Sequence, residues 1–340
     1  MACRATTIGE FPSGWPELLL ATCHLLIYPA QHVSALDLFS IITPSFRTRK
    51  WLPLCVASVA DQQGVSVEHI VQDAGSDDGA VEWLQAHPDV RSFVERDNGM
   101  YDAINRGLRR AQGEILAHLN ADEQYLPGAL AAVHDCFRSD PRLDVLYADT
   151  VVVDGAGQFI CCRKSMRPSR ALMYVQNPTI TSSIFFHRRV IERHHLFFDP
   201  DWRVLGDAVW MRASVRLGLR TAVLRRYTSA FADTGDNLDL SPAARSESLR
   251  LRRTQPDWAR MFEVPLRTWG RLRRLVHGTY HQRPFAYEIY LPPDPGKRVR
   301  IQVAKPTCVW WNRAPRRAGG YYRRLKLKMG GRRGKLSEVE

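Results

Sequence analysis

Three acidic turns hold the residue types that could do chemistry in this 340-residue chain: Asp73 with Asp77 and Asp78, Asp122 with Glu123, and Asp207. Taken singly, an acid at the end of a strand caps the following helix or solvates a turn. Gathered at one edge of a sheet, several carboxylates repel one another unless a cation sits among them. A hard divalent ion carrying a diphosphate is the natural guest. The sequence contains no Gly-x-x-x-x-Gly-Lys phosphate loop, which excludes a P-loop enzyme, and no Gly-x-Gly-x-x-Gly, which argues against a dinucleotide site. Cys-x-x-Cys pairs and His-Glu-x-x-His are also absent, so a zinc site is not expected, and His194–His195 reads as a loop or surface pair.

The elements that must position these turns follow from the apolar pattern. The run from Leu38 to Pro44 suits a buried strand, Trp51 to Gln63 a helix stopped by Gly64, and Val67 to Gln72 a second strand that enters the Asp73 turn at once. A short helix over Val81–Ala86 and a strand over Val90–Arg96 come next. The helix from Met100 to Gln112 carries Tyr101, Ile104, Leu108 and Ala111 on one face and stops at Gly113. Ile115 to Leu119 is a fourth strand, running straight into Asn120-Ala121-Asp122-Glu123. Strand and helix alternating at this spacing predict parallel βαβ units in a doubly wound sheet, where ligands bind beyond the carboxyl ends of the strands. From Leu143 the pattern changes to a hairpin, Leu146–Val153 with Gln158–Arg163, then a strand over Ser182–Phe186 and a helix over Gly206–Leu217.

Five segments in this order resemble the family 2 glycosyltransferases, over about residues 38–235. They are Ile42-Thr43-Pro44-Ser45-Phe46, Val71 to Gly79, Asp97-Asn98-Gly99-Met100-Tyr101-Asp102-Ala103-Ile104-Asn105-Arg106-Gly107, Leu119 to Leu130, and Gly206 to Arg212. The resemblance implies an α/β fold of GT-A type: a doubly wound, mostly parallel sheet flanked by helices, here with a basic C-terminal extension. It implies that Thr43, Pro44 and Ser45 line a nucleotide pocket and that Asp73 hydrogen-bonds the base or ribose, with Gly75 and Gly79 letting the backbone turn close to the ligand. Asp97, Gly99 and Asn105 would frame the pocket floor, and Asn120 and Ala121 would adjoin the nucleotide sugar. Asp122 matches the last carboxylate of the family's Asp-x-Asp motif and would hold Mg²⁺ or Mn²⁺ against the diphosphate. The chain departs from the pattern there, with Asn120 at the first acidic position and Glu123 in place of a common Asp.

Asp207 matches the family's catalytic base, which takes the acceptor hydroxyl's proton in an inverting transfer; it also stands where a helix begins and the macrodipole favours an acid. Asn177 to Thr181 falls where the family's acceptor-side segment lies. Gly107 and Ala111 suit close helix–sheet packing, and Tyr101 suits core packing as well as ligand contact. The Gln-x-x-Arg-Trp signature of processive synthases is absent, which points to single-sugar addition. The expected partners are a nucleoside-diphosphate sugar, with uridine diphosphate as the default, and a glycan or lipid-linked acceptor.

Charge divides the chain in two. Residues 1–240 carry 24 Lys and Arg against 28 Asp and Glu, and residues 241–340 carry 24 against 7. A mildly acidic body thus precedes a basic third, and the whole-chain +13 does not describe either. The expected regions are an N-terminal extension 1–37, a GT-A domain 38–240, a helical and β basic appendage 241–312 and a basic flexible tail 313–340. Ser241-Pro242 is a helix start. Beyond it, Leu266, Trp269, Leu272 and Val276 alternate with arginines, which suits either an anionic membrane surface or a helix packed on the body with a solvated Arg face. The apolar stretch Leu18–Ala30 is 13 residues long, short of the roughly 20 that span a bilayer. Seven cysteines, an odd number, fit a reducing compartment. The location expected is cytoplasmic, peripheral at the inner face of the plasma membrane. A nucleic-acid-binding protein, a sugar nucleotidyltransferase and an inactive GT-A-fold binding module are the alternatives. No nucleic acid is expected, because the tail has no recognised binding motif beside it and the acidic body repels phosphate backbones.

Overall fold

The apolar run that opens the body forms β1 (Leu38–Ser45), buried on both faces as strands inside parallel sheets are. The computed structural model describes residues 38–310 apart from 236, 239, 240 and 294. The expected extension over 1–37 and the tail over 313–340 lie outside the described residues. β1 pairs in parallel with β2 (Ser66–Asp73) on one side and β4 (Ile115–His118) on the other, and β3 (Arg91–Val94) lies outside β2. The connecting helices are α1 (Leu52–Ala60), α2 (Ala80–Gln85) and α3 (Met100–Arg110). Register sets the site: Ser45 stands opposite Asp73 and Ile42 opposite His118, so the turns after β1, β2 and β4 open at one edge.

The second half of the sheet is mixed. β8 (Ile184–His187) runs antiparallel between β4 and β6 (Val145–Asp154). β6 pairs in parallel with β9 (Thr221–Asp233) and forms the expected hairpin with β7 (Phe159–Arg163). The two-residue β5 (Gln124–Tyr125) closes the far side of β9. α4 (Ala129–Ser139) and α1 cover one face over Phe39, Ile41, Leu130, Val133 and Phe137. α3, α5 (Arg189–His194) and α6 (Gly206–Arg216) cover the other, around Ile42, Tyr101, Ile104, Phe186 and Trp210. Gly107 is required by this packing, since a Cβ there would lie 2.5 Å from Ile42 Cγ2.

The basic third contributes α7 (Pro242–Arg253), α8 (Asp257–Met261) and α9 (Glu263–Val276), then an antiparallel pair, β10 (Phe285–Ile289) and β11 (Val299–Val303). Ser241 caps α7 by accepting from Ala244 N–H at 3.3 Å, with Pro242 at the first helical position. The β10–β11 pair shares a core with the sheet: Tyr287, Ile289 and Val303 pack on Leu126, Val151 and Ala230. The five described cysteines are unpaired. No helix among the described residues is long and apolar enough to cross a membrane.

Candidate active site

The loops after β1 and β2 are held by their own acids. Asp73 is fully buried and accepts four hydrogen bonds: Gly75 N–H at 2.9 Å, Ser76 N–H at 2.7 Å, Ser45 Oγ at 2.6 Å and Ser76 Oγ at 2.8 Å. A carboxylate offers about four lone-pair sites, and here all are in use. Within the chain, Asp73 therefore organises the loops after β1 and β2. Gly75 continues that turn at φ +86°, a conformation glycine adopts without strain. Asp78 in turn accepts from Arg49 N–H at 2.8 Å, and Arg47 pairs with Asp77 at 2.6 Å.

Several other expected ligand contacts also turn inward. Thr43 is fully buried with Oγ1 2.8 Å from His69 Nε2, and Pro44 and Ser45 continue the strand to the edge. Asn105, expected at a pocket floor, instead clamps the backbone of Phe198 from both ends of its amide, at 2.7 and 2.9 Å. The Ala121 methyl lies in a core cluster with Leu52, Val56 and Val71. These residues are chosen by packing, which a lining residue also needs, so type alone did not separate the two. Asp97 remains half-buried at the loop leading to α3 and accepts Gly99 N–H at 2.9 Å. Burial raises its pKa, and the nearby Asp102 and Asp73 add to the rise.

The turn after β4 is closed by a reciprocal pair: Asn120 N–H donates to Glu123 Oε2 at 2.9 Å and Glu123 N–H donates to Asn120 O at 2.9 Å. Asp122 projects from its middle. Burial lifts Asp122 to about 6, and burial together with the Asp122 charge lifts Glu123 well above the carboxylate range. Two buried oxygens of this turn, Asn120 Oδ1 and Glu123 Oε1, have no hydrogen-bond partner. An all-oxygen set with unmet lone pairs fits a hard cation. No group of three or more His, Cys, Asp or Glu side chains is arranged to hold a metal among the described residues.

Asp207 is held from three directions. Its Oδ2 accepts Thr181 Oγ1 at 2.7 Å, its Oδ1 accepts Ala208 N–H at 2.7 Å, and its own N–H donates to Tyr101 OH at 3.1 Å. Tyr101, buried in the core, donates onward to Val204 O at 2.8 Å. Gly206 admits this approach, since a Cβ there would lie 2.6 Å from the Tyr101 ring. Glu247, buried on α7, accepts the backbone N–H groups of Arg203, Val204 and Leu205 at 2.6, 3.0 and 2.9 Å. A carboxylate thus grips the chain entering α6, where unsatisfied N–H groups favour an anion.

The short 3-10 turn Thr181–Ser183 joins the two acidic centres. Thr181 bonds Asp207, and the neighbouring Ser182 hydroxyl favours the charged form of Glu123. The sequence reading placed Thr181 at the end of the acceptor-side segment 177–181 without this contact, and missed Ser182 and Glu247 as positioning groups. Glu247 had one faint signal, a lone acid in an arginine-rich helix. A cavity of about 510 Å³ lies beside this edge, lined by Arg49, Lys50, Asp78, Pro292 and Pro293. It shares no lining residue with Asp122 or Asp207.

A parallel half-sheet with an acidic turn at its strand ends, joined to a mixed half that presents an acid at a helix start, is the GT-A architecture of glycosyltransferases. Residues 40–200 match the model of the family described as Glycosyl transferase family 2. It is 30% identical over 127 residues to the chondroitin synthase of Escherichia coli, a match covering 36% of this chain and 18% of that protein. It is 33% identical over 124 residues to a PGL/p-HBAD biosynthesis glycosyltransferase of Mycobacterium bovis, covering 35% of this chain and 48% of the relative. The chain therefore spans half or less of the length of these relatives. In structure it resembles S. aureus TarS 1–349 in complex with UDP-GlcNAc, with a TM-score of 0.51 and 17% identity, over 63% of this chain and 64% of that one. At that identity the likeness concerns the fold.

Proposed function

We propose that this chain is an inverting, divalent-metal-dependent glycosyltransferase that moves a single sugar from a nucleoside-diphosphate sugar, UDP-linked by default, to a hydroxyl of a glycan or lipid-linked acceptor. The observation that carries this reading is the placement of Asp207. It is an acid held at a helix start by Thr181 and Tyr101, with Glu247 gripping the chain just before it, and the three-residue turn that carries Thr181 also places the Ser182 hydroxyl by Glu123, the residue after Asp122.

In this reading the acceptor oxygen attacks the anomeric carbon from the face opposite the diphosphate. The new C–O bond forms as the bond to the leaving phosphate oxygen breaks, and the acceptor proton passes to Asp207. A positioned carboxylate base of this kind contributes about 10²–10⁴ in rate. Asp122, with Asn120 Oδ1 beside it, would hold Mg²⁺ or Mn²⁺, which supplies offsetting charge to the departing diphosphate. The loops ordered by Asp73 and Asp97 would shape the nucleotide pocket through their backbone. The relatives, named as a chondroitin synthase and a PGL/p-HBAD biosynthesis glycosyltransferase, support the acceptor class, and the UDP-GlcNAc complex of the structural neighbour supports the donor class.

A panel of nucleotide sugars, assayed for released nucleoside diphosphate with and without Mn²⁺, tests this directly. Metal-dependent release from at least one donor is expected. Neither hydrolysis nor binding of any member would overturn it.

A further inference from the structure

The third helix of the basic third, α9, is built inside out. At 100° per residue, Val264, Trp269, Leu272, Leu275 and Val276 fall within about 140° of one another on α9. A surface helix of a globular domain turns such a stripe toward the core. Here it faces outward: Val264 is 73%, Leu275 63% and Val276 76% exposed. The inner face is instead closed by Gly270, which rests on the Gln176 side chain, and by Arg274, which donates to Asn177 O at 3.3 Å. The preceding α8 adds Trp258 and Met261, and Phe262 follows it; all three are exposed. Nine of the sixteen exposed large apolar side chains among the described residues fall between Trp258 and Tyr280. This is a contiguous patch rather than scattered surface residues, and such patches mark contact sites.

Its rim identifies the occupant. Residues 241–280 carry nine arginines and three acids. Glu247 is buried on backbone N–H groups, Asp257 pairs with Arg260, and Glu263 pairs with Arg252 at 2.7 Å and Arg267 at 2.9 Å. Arg271 and Arg273 flank the apolar stripe on its two sides and form no ion pair among the described residues. A second copy of this chain would bring the same positive rim against itself. A surface with an apolar interior and negative headgroups complements it in both respects.

We infer that α8 and α9 form the membrane-docking face of this protein, with Trp269, Leu272, Leu275 and Val276 entering an anionic lipid bilayer and the flanking arginines meeting its headgroups. The inference stands on this surface alone; its consequence for the acceptor rests on the glycosyltransferase reading. Gln176 and Asn177, on which α9 sits, lead within five residues to Thr181 and so to Asp207. Docking would set the acceptor side of the site against the lipid surface, which suits an acceptor carried on a lipid.

The test is flotation of the full chain with vesicles of mixed phosphatidylglycerol and phosphatidylcholine, against pure phosphatidylcholine. The wild-type protein should float with the mixed vesicles, and brominated acyl chains should quench Trp269 emission, a signal that Trp269→Phe removes. The double variant Leu272→Asp, Leu275→Asp should lose about tenfold or more in partition while melting at the wild-type temperature. It should also release nucleoside diphosphate from a soluble donor at the wild-type rate. Unchanged flotation of the double variant would overturn the inference and assign binding to other basic segments. So would a wild-type dimer that the double variant dissolves, without vesicle binding. Vesicle binding in a protein that turns over no nucleotide sugar would leave the docking face standing and remove the enzymatic reading.

Discussion

The two acidic centres of the site are fixed in opposite ways. On the β1–β4 side, Asp73 binds Gly75 and Ser76, two and three residues ahead of it, and Asn120 and Glu123, three residues apart, close a single turn. On the β6–β9 side, Asp207 is placed by Tyr101, 106 residues earlier, by Thr181, 26 residues earlier, and by Glu247 acting on Val204 43 residues before it. The first side is therefore a set of locally determined loops on a parallel scaffold. The second is an acid whose position exists only once three distant elements have packed. Changes on the first side should alter how donor is held; changes on the second should alter turnover.

The sharpest break in that contrast is Asp207→Asn. Removing the base while keeping its size should lower kcat by about 10²–10⁴ and leave donor affinity near wild type. Single-turnover rates together with calorimetric donor binding would check it. Turnover at the wild-type rate would place the base elsewhere. Glu247→Gln should come next. Gln has one carbonyl oxygen for three N–H groups that now share a carboxylate, and hydrogen bonds to a charged acceptor are worth about 1.5–3 kcal/mol each. Loosening the start of α6 displaces Asp207, and small misplacements cost up to about 10²-fold. The expected result is a roughly tenfold or greater fall in kcat with donor KM unchanged. An equal loss in both constants would mean a structural role only.

Asp73→Ala probes the other side. It leaves two hydroxyls and two N–H groups of the β1 and β2 loops without their acceptor, at a cost of about 1–3 kcal/mol for each one that stays buried and unmet. Donor KM should rise roughly tenfold, with kcat for bound donor less affected, together with a lowered melting temperature. If kcat falls as far as in Glu247→Gln, the division between donor loops and acceptor-side base is not real.

The same contrast explains what could be read from the sequence. The strands, their following turns and the helix starts are local, so Leu38–Pro44, Met100–Gln112 and Ser241-Pro242 announce themselves in apolar period and capping residues. The acidic turns were legible for the same reason. Side-chain direction was not: Thr43, Asn105 and Ala121 lie in segments that match the family pattern, but their side chains point into the fold. Tyr101 was open between core and ligand and is a buried residue whose hydroxyl accepts from Asp207 N–H. Thr181 and Glu247 have no local signature, since their partners are chosen by the tertiary fold. The outward stripe of α9 was legible as an amphipathic pattern, but the pattern alone does not say which face turns in. Gly270 on Gln176 decides it.

The last effect, on stability rather than turnover, lies where the two sides meet. His118, at the end of β4, is buried and meets Phe198 edge-on at 5.2 Å between ring centres. Burial lowers its pKa from 6.5 to about 4, and His69 is lowered to about 4 in the same way, by burial first. Each ring is therefore neutral in the folded protein while the unfolded chain takes up its proton. The stability they contribute is complete above pH 6.5 and is lost as pH falls toward 4. Asp122, raised to about 6, acts with the opposite sign, because it binds its proton in the folded state first. The wild-type profile therefore mixes the two, and a difference between proteins is needed. His118→Met keeps an apolar side chain of similar size against Phe198 and removes one titrating ring. Between pH 6.5 and 4 the stability of the variant should decline less steeply than wild type by one proton, about 1.4 kcal/mol per pH unit. Urea unfolding at several pH values across that window measures it, and identical slopes for the two proteins would mean that His118 is protonated within the fold.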